Sequence, residues 1–229
     1  MISLIIPTYN EAKTIEALIN YLKENKGAVE IEVVVVDGGS KDNTVSIAKD
    51  AGVKVLSAPE KGRAVQMNYA VSQAVGEIIY FVHADTEPPK NYGEHIVAAL
   101  QNGKEAGCFT SIFDWDHPFL RFCNFFSRLP FWFCRGGGQT LYIKKSLFDQ
   151  LDGFKENMIL MEEYDLISRA RKETTFAIIK KNAVTSARDY RVNGAFRLQF
   201  IYSYVFFLYS IGAPQEKMLS VVRKYVNKA

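Results

Sequence analysis

The sequence predicts an α/β protein, a three-layer sandwich around a mostly parallel, mixed sheet with helices at the C-terminus. Three observations lead there. Val33-Val34-Val35-Val36 and Ile78-Ile79-Tyr80-Phe81-Val82 are continuous apolar runs, the signature of parallel strands buried on both faces. Over the first half, such runs alternate strictly with helical patterns, as in layered parallel sheets. Two of the runs also end in acidic tips, Asp37-Gly38-Gly39-Ser40 and His83-Ala84-Asp85-Thr86. Open parallel sheets bind ligands beyond the carboxyl ends of their strands, so Asp37 and Asp85 are expected to face one ligand.

The elements follow in order. Ile2 to Ile6 forms a strand ended by Pro7. Asn10 caps a helix with Ile15, Leu18, Ile19 and Leu22 on one face. Ile31 to Val36 is the second strand, and Asp42 caps the next helix, which ends near Gly52. Val53 to Leu56 is a short third strand, Arg63 to Val75 a helix, and Glu77 to Val82 the fourth strand. Beyond these the pattern is less regular. Ala106 to Phe113 reads as a strand, followed by an aromatic segment from Phe119 to Phe133. Arg135-Gly136-Gly137-Gly138-Gln139 suggests a loop whose backbone approaches a ligand or another chain. Thr140 to Ile143 is a strand, Ser146 to Leu151 a helix, and Met161 to Lys172 a longer helix. Short strands are expected near Phe176–Ile179 and Val184–Ser186, then two helical pieces broken at Gly212-Ala213-Pro214. One domain over residues 1–229 is expected, with a nucleotide-binding half (1–105), a less regular second half (106–190) and a helical appendage (191–229).

With 48% apolar and 23% charged residues among 229, the chain has ample material for a core. Its formal charge of +3 is spread rather than clustered, which excludes duplex nucleic acid as the favoured partner. Cys108, Cys123 and Cys134 lack metal-ligand spacing and suit a reducing, cytoplasmic setting. No secretory signal pattern opens the sequence, and no apolar run reaches the length of a membrane span. Any membrane contact is therefore peripheral, through the aromatic segments around Phe119–Phe133 and Phe200–Tyr209. For the first of these, buried packing is the default reading, with a lipid-acceptor site, a membrane surface or a homodimer surface as the alternatives.

The first strand runs into Pro7-Thr8-Tyr9-Asn10-Glu11 with no glycine-rich turn, so the dinucleotide fingerprint is absent. Without such glycines a pyrophosphate needs another counter-charge. A divalent ion held by Asp85 supplies it, since Mg²⁺ and Mn²⁺ take one or two carboxylates plus substrate phosphates. Each Asp taken alone reads first as a turn or cap residue, and it is their matched placement that points to a site. Arg63 stands at a helix N-terminus, placed to meet an anion unless its loop is merely solvated. In Met161-Glu162-Glu163-Tyr164-Asp165, Glu163 shares a helical face with Leu166, Ile167 and Ala170 and points inward, a position that suits a general base. Glu162 and Asp165 fall on the adjoining face, where Asp165 pairs with Arg169 at i,i+4. Acidic residues also favour helix N-termini with no catalytic purpose. Arg188, Arg191 and Arg197 read either as a basic segment closing on a diphosphate or as a linker.

Taken in order, Ile5-Ile6-Pro7-Thr8-Tyr9-Asn10-Glu11, Val36-Asp37-Gly38-Gly39-Ser40-Lys41-Asp42-Asn43-Thr44 and Phe81-Val82-His83-Ala84-Asp85-Thr86 resemble successive motifs of the family-2 glycosyltransferases. Gly62-Arg63-Ala64-Val65-Gln66-Met67-Asn68 and the His-Ala-Asp form of the metal motif resemble a compact bacterial subgroup. Gly153-Phe154 and Glu162-Glu163-Tyr164-Asp165-Leu166 resemble the family's acceptor-side elements, so the likeness covers about residues 2 to 190.

The resemblance implies the GT-A fold and inverting sugar transfer from a nucleoside-diphosphate sugar, with Mn²⁺ or Mg²⁺. Pro7, Tyr9 and Glu11 would line the nucleotide pocket, Asp37 would contact the base, and Arg63 would approach from the side. Asp85 would hold the metal, and Glu163 would deprotonate the acceptor hydroxyl. Two residues depart from the family pattern. His83 stands near ribose and metal where many relatives have Asp. Glu163 stands where Asp is usual, which leaves Glu162 and Asp165 as alternative bases. The acceptor, lipid-linked or otherwise, is not specified. Two rival readings are a sugar-phosphate nucleotidyltransferase, which wants a glycine-rich basic loop after the first strand, and a non-catalytic nucleotide- or partner-binding module.

Overall fold

A computed structural model describes residues 1–131 and 139–227. Trp132, Phe133, Cys134 and the expected loop from Arg135 to Gly138 lie outside the described residues. The described strands form one sheet: β1 (Ile2–Thr8), β2 (Ile31–Asp37), β3 (Lys54–Ser57), β4 (Ile78–Phe81), β5 (Thr86–Glu87), β6 (Ala106–Phe113), β7 (Leu141–Lys144) and β8 (Ala177–Thr185), in the order β3-β2-β1-β4-β7-β6-β8-β5. The first four are mutually parallel. Strand β7 is antiparallel to both β4 and β6, and β8 is parallel to β6. The sheet is mixed, as expected, with its regular part in the first half.

Alternate residues of the central strands feed two different cores. Ile5, Val34, Val36, Ile79 and Phe81 join α3 (Arg63–Gln73), α6 (Lys145–Gln150) and α7 (Glu162–Glu173) on one face. Leu4, Ile6, Val33, Val35 and Tyr80 join α1 (Ile15–Glu24), α2 (Thr44–Asp50) and α4 (Tyr92–Gln101) on the other. This two-sided burial explains why the strands read as unbroken apolar runs. Beyond the sheet, α5 (Pro118–Phe125), α8 (Arg188–Asn193), α9 (Ala195–Ser210) and α10 (Gln215–Tyr225) build a separate helical layer around Leu120, Tyr190, Leu198, Val205 and Met218. Among the described residues, no helix is long and apolar enough to cross a membrane.

Several local expectations change. Asn10 is not a helix cap, because α1 begins at Ile15. It adopts a left-handed backbone, φ 57°, which Asn tolerates, and its amide oxygen accepts the Lys41 N–H at 2.8 Å. It thus ties together the loops after β1 and β2. Asp42 is not the cap of α2 either, since Asn43 holds that position, but one residue before it the Asp42 carboxylate accepts the Thr44 N–H at 3.1 Å. The two strands expected after Phe176 are one strand, β8, whose register against β6 shifts between Phe109 and Thr110. Helix α4 has no sequence expectation behind it. Its Gly93 packs so close to the chain that a β-carbon there would lie 2.5 Å from the Lys26 carbonyl oxygen. Close approach requires glycine at this position, and glycine is a poor helix former.

Candidate active site

The order of strands reverses at β1, with β2 and β3 on one side and β4 on the other. In an open sheet the crevice beyond the carboxyl ends at such a point is where ligands bind. Both acidic tips lie on this edge, although β1 separates them. Asp37 is buried and its carboxylate organises its own turn. It accepts N–H bonds from Gly39 (2.9 Å) and Ser40 (3.0 Å), and the Ser40 hydroxyl donates to it at 2.5 Å. Gly39 is held at φ 93°, which L side chains rarely adopt. Behind this turn the buried Gln66 amide donates to the carbonyls of Thr8 (3.1 Å) and Val36 (2.9 Å), clamping the ends of β1 and β2 together. Pro7 is partly covered at the end of β1, whereas Tyr9 is 51% exposed on the rim.

Two ionic arms approach from the other side. In the first, Arg188 at the head of α8 makes a bidentate contact with Glu11, at 2.5 and 2.8 Å. Such planar forks are strong and geometrically specific. The same guanidinium lies 3.7 Å from Asp85. The Glu11 bond pushes the Arg188 pKa up, against some loss from burial, with the Glu11 and Asp85 charges adding to the rise. Asp85 itself remains partly open, its side chain 24% exposed, with the Thr86 hydroxyl 3.3 Å away.

The second arm begins at α7. Met161, immediately before this helix, has a left-handed backbone at φ 67°, and Glu162 and Glu163 occupy its first turn, where a helix terminus favours negative charge. His83 Nε2 lies 2.7 Å from Glu163 Oε1, joining β4 to α7 across 80 residues of sequence. Arg63, at the start of α3 and half exposed, lies 3.4 Å from the buried Glu162. Burial pushes the Glu163 carboxyl up, but His83 and then Arg63 more than offset this and hold it below the usual range. For Glu162, burial prevails over Arg63, and with the Glu163 charge it raises the carboxyl. Burial works against protonating His83, yet its contact with Glu163 raises the imidazole pKa overall. Arg63 loses from burial and gains more from Glu162, Glu163 and Asp85, so it remains firmly charged.

The sequence-predicted residues thus separate into groups. Glu11, Arg63, His83, Asp85, Glu162 and Glu163 form one alternating network of acids and bases. Asp165 is occupied elsewhere, with Lys155 and Arg169 each at 2.7 Å. Arg169 in turn donates to the Leu151 and Gly153 carbonyls, so Asp165 anchors α7 to that loop. Of the three C-terminal arginines only Arg188 reaches the site. Arg191 binds Asp114 and sits over Trp115, and Arg197 donates to the Tyr225 carbonyl. Sequence reasoning missed Tyr202 of α9, whose hydroxyl lies in the field of Arg63 and Asp85. It also missed Asn68, which bonds both the N–H and the carbonyl of Phe154 at 2.9 and 2.8 Å. An Asn one turn after Arg63 carries no pattern that would reveal a partner 86 residues away.

The comparison that decides the family is a match of residues 3–145 to the glycosyl transferase family 2 profile. The chain belongs to glycosyl transferase family 2. A glucosyl-3-phosphoglycerate synthase of Petrotoga mobilis is 37% identical over 127 residues, covering 49% of this chain and 38% of that protein. The chain spans less than half the length of this and other curated relatives. Among solved structures, the mannosyltransferase PcManGT of Pyrobaculum calidifontis, in complex with GDP-Man and Mn²⁺, superposes with a TM-score of 0.70 at 22% identity, over 96% of this chain and 68% of that one. S. aureus TarS residues 1–349, in complex with UDP-GlcNAc, gives a TM-score of 0.67 at 21% identity, over 81% and 58%. The family-2 chain therefore has the GT-A fold. The family match spans β1 through the acid-tipped β4 to β7 and stops short of α7.

Proposed function

We propose that this family-2 chain, acting as one domain, is a metal-dependent inverting glycosyltransferase that moves a sugar from a nucleoside-diphosphate sugar to an acceptor hydroxyl. The observation that carries the reading is the 2.7 Å contact of His83 with Glu163. It sets a carboxylate on the acceptor-side helix beside the strand that leads to Asp85. The nucleotide-sugar complexes of PcManGT and TarS support the donor class.

A divalent ion fits this donor set in one way only. Among the described residues no group of three His, Cys, Asp or Glu side chains forms a ready cage. Asp85 is instead a single, partly open carboxylate, and Mg²⁺ and Mn²⁺ commonly bind through one or two carboxylates together with substrate phosphates. Asp85 would hold the ion, which when bound neutralises charge on the leaving diphosphate. Arg188, already 3.7 Å from Asp85, supplies a second positive charge on that side. Pro7, Tyr9 and Glu11 border the nucleotide, and the Asp37 turn meets its base. His83 orients Glu163.

Among the three candidate bases Glu163 is preferred. It is held ionised by His83 and Arg63, and among the described residues only its Oε1 is hydrogen-bonded. Glu162 is pushed towards its protonated form by burial, and Asp165 already serves Lys155 and Arg169. Glu163 would take the acceptor proton as that oxygen attacks the anomeric carbon from the face opposite the departing diphosphate. A thermal-shift screen of nucleoside diphosphates and their sugars with Mn²⁺ tests the reading. One base class should raise the melting temperature, and release of pyrophosphate from sugar phosphate and nucleoside triphosphate should not occur.

A further inference from the structure

We infer that the outer face of α9, together with α5, is a docking surface for an anionic lipid bilayer. Residues 198–214 contain no Asp, Glu, Lys or Arg, so α9 is apolar around almost its whole circumference. A helix of that kind is normally buried on every side. Here only one side is covered, where Leu198, Ile201, Val205 and Leu208 pack on the protein. Phe196 (66%), Phe200 (76%), Tyr204 (43%), Phe207 (53%) and Ile211 (60%) remain exposed. Their spacing of four, four, three and four residues puts them on a single stripe along the helix.

The stripe continues onto α5. Phe119 stacks on Phe196 with ring centroids 4.2 Å apart, and Phe122 (62%) and Phe125 (57%) are exposed beyond it. Isolated exposed aromatics need no explanation, but a contiguous patch marks an interaction site. No helix among the described residues is long enough to cross a membrane, so such a surface would lie on one.

Charge selects the occupant. Beyond Arg188 and Arg191, which are engaged with Glu11 and Asp114, residues 195–227 hold four Lys and Arg and one Glu, a local charge of +3 equal to that of the whole chain. Exposed Arg197 borders the stripe and donates to the Tyr225 carbonyl, which brings Arg223 and Lys224 of α10 alongside. Arg121 and Arg128 lie at the α5 end, with Arg121 meeting Asp116 at 3.3 Å in solvent. Aromatic residues rimmed by basic ones suit the headgroup region of an anionic bilayer. A second copy of this chain would bring two identical basic rims together, a juxtaposition that like charges oppose.

Docking would set Tyr202, on the flank of α9 near Arg63 and Asp85, beside the lipid surface. That consequence alone rests on the glycosyl-transfer reading.

Vesicle co-sedimentation of the full chain tests the inference, with phosphatidylcholine alone and with a one-third share of phosphatidylglycerol. The wild type should bind the anionic vesicles, and Phe200→Ser with Phe207→Ser should bind at least about tenfold less. Arg223→Gln with Lys224→Gln should weaken binding and its salt dependence while leaving the aromatic stripe intact. The melting temperature of each variant, and its rise with nucleoside diphosphate and Mn²⁺, should match the wild type, which separates docking from the donor site. A wild-type chain that stays in the supernatant with both vesicles overturns the inference. So does a wild-type dimer in sedimentation velocity, dissolved by the two serines, without vesicle binding.

Discussion

The two sides of the sheet are built by different rules. On the side where the donor is proposed to bind, β3, β2, β1 and β4 are parallel and end along one edge, and β2, β1 and β4 are buried on both faces. Strand ends there become ligand positions by topology alone, so Asp37 and Asp85 fall on that edge because each closes an apolar run. On the other side, where the acceptor is proposed to bind, β7 is antiparallel and β8 carries a register shift. Its candidate site residues come from helix starts, where Glu162, Glu163 and Arg188 are aimed by partners far away in sequence. Position along a strand suffices for the first side. The second side requires knowing which helix meets which strand.

The largest expected effect tests that difference directly. Glu163→Gln should lower kcat by about 10²–10⁴-fold, the range of a lost general base, with donor binding retained. Asp165→Asn, two residues on, should leave kcat nearly unchanged and lower stability instead. Equal losses of kcat in both would erase the distinction between catalytic and anchoring acids on α7. Next, Arg188→Gln should weaken binding of the nucleoside diphosphate by roughly tenfold or more, by removing one charge-assisted partner. Arg191→Gln, bound to Asp114 instead, should leave that affinity intact in the same calorimetric titration.

Smaller effects probe the frame. Asn68→Ala removes both bonds to Phe154, a loss of about 1–3 kcal/mol. It should lower the melting temperature by several degrees without a matching fall in donor affinity. Glu32 reports on the strand frame alone. Burial disfavours its charge, but the Ser3 hydroxyl, the Val75 N–H and Lys54 more than offset that and lower its pKa. A carboxyl depressed in the folded state stabilises the protein above its unfolded pKa and loses that contribution as pH falls through the folded one. Glu32→Gln should therefore be less stable by about 1 kcal/mol at neutral pH, with the gap closing in acid. A gap that widened in acid would reverse the assigned sign.

These contrasts also explain what could be read without coordinates. The strands β2 and β4 were legible because Val33–Val36 and Ile79–Val82 are buried on both faces and so lack any polar interruption. Strand β8 was not read as one element because Lys180, Lys181 and Asn182 interrupt its apolar pattern where its register shifts. Helix α4 was hidden by Gly93, which is there for close packing rather than helix formation. At the site, Asp85 and Glu163 were visible as residue types in telling positions. Their companions were not: nothing local indicates that Arg188 would reach Glu11 across 177 residues, or that His83 would turn to Glu163. Asp37 was visible for a further reason, since the same carboxylate that marks a strand end also builds the turn after it.

The central claim is that the acid tip of β4 holds the metal-bound diphosphate. Calorimetric titration of the donor nucleoside diphosphate in the presence and absence of Mn²⁺, for wild type and Asp85→Asn, tests it most directly. Wild-type binding should tighten with Mn²⁺, and the variant should lose that metal-dependent increment while keeping its metal-free affinity. An increment of equal size in Asp85→Asn would contradict the account.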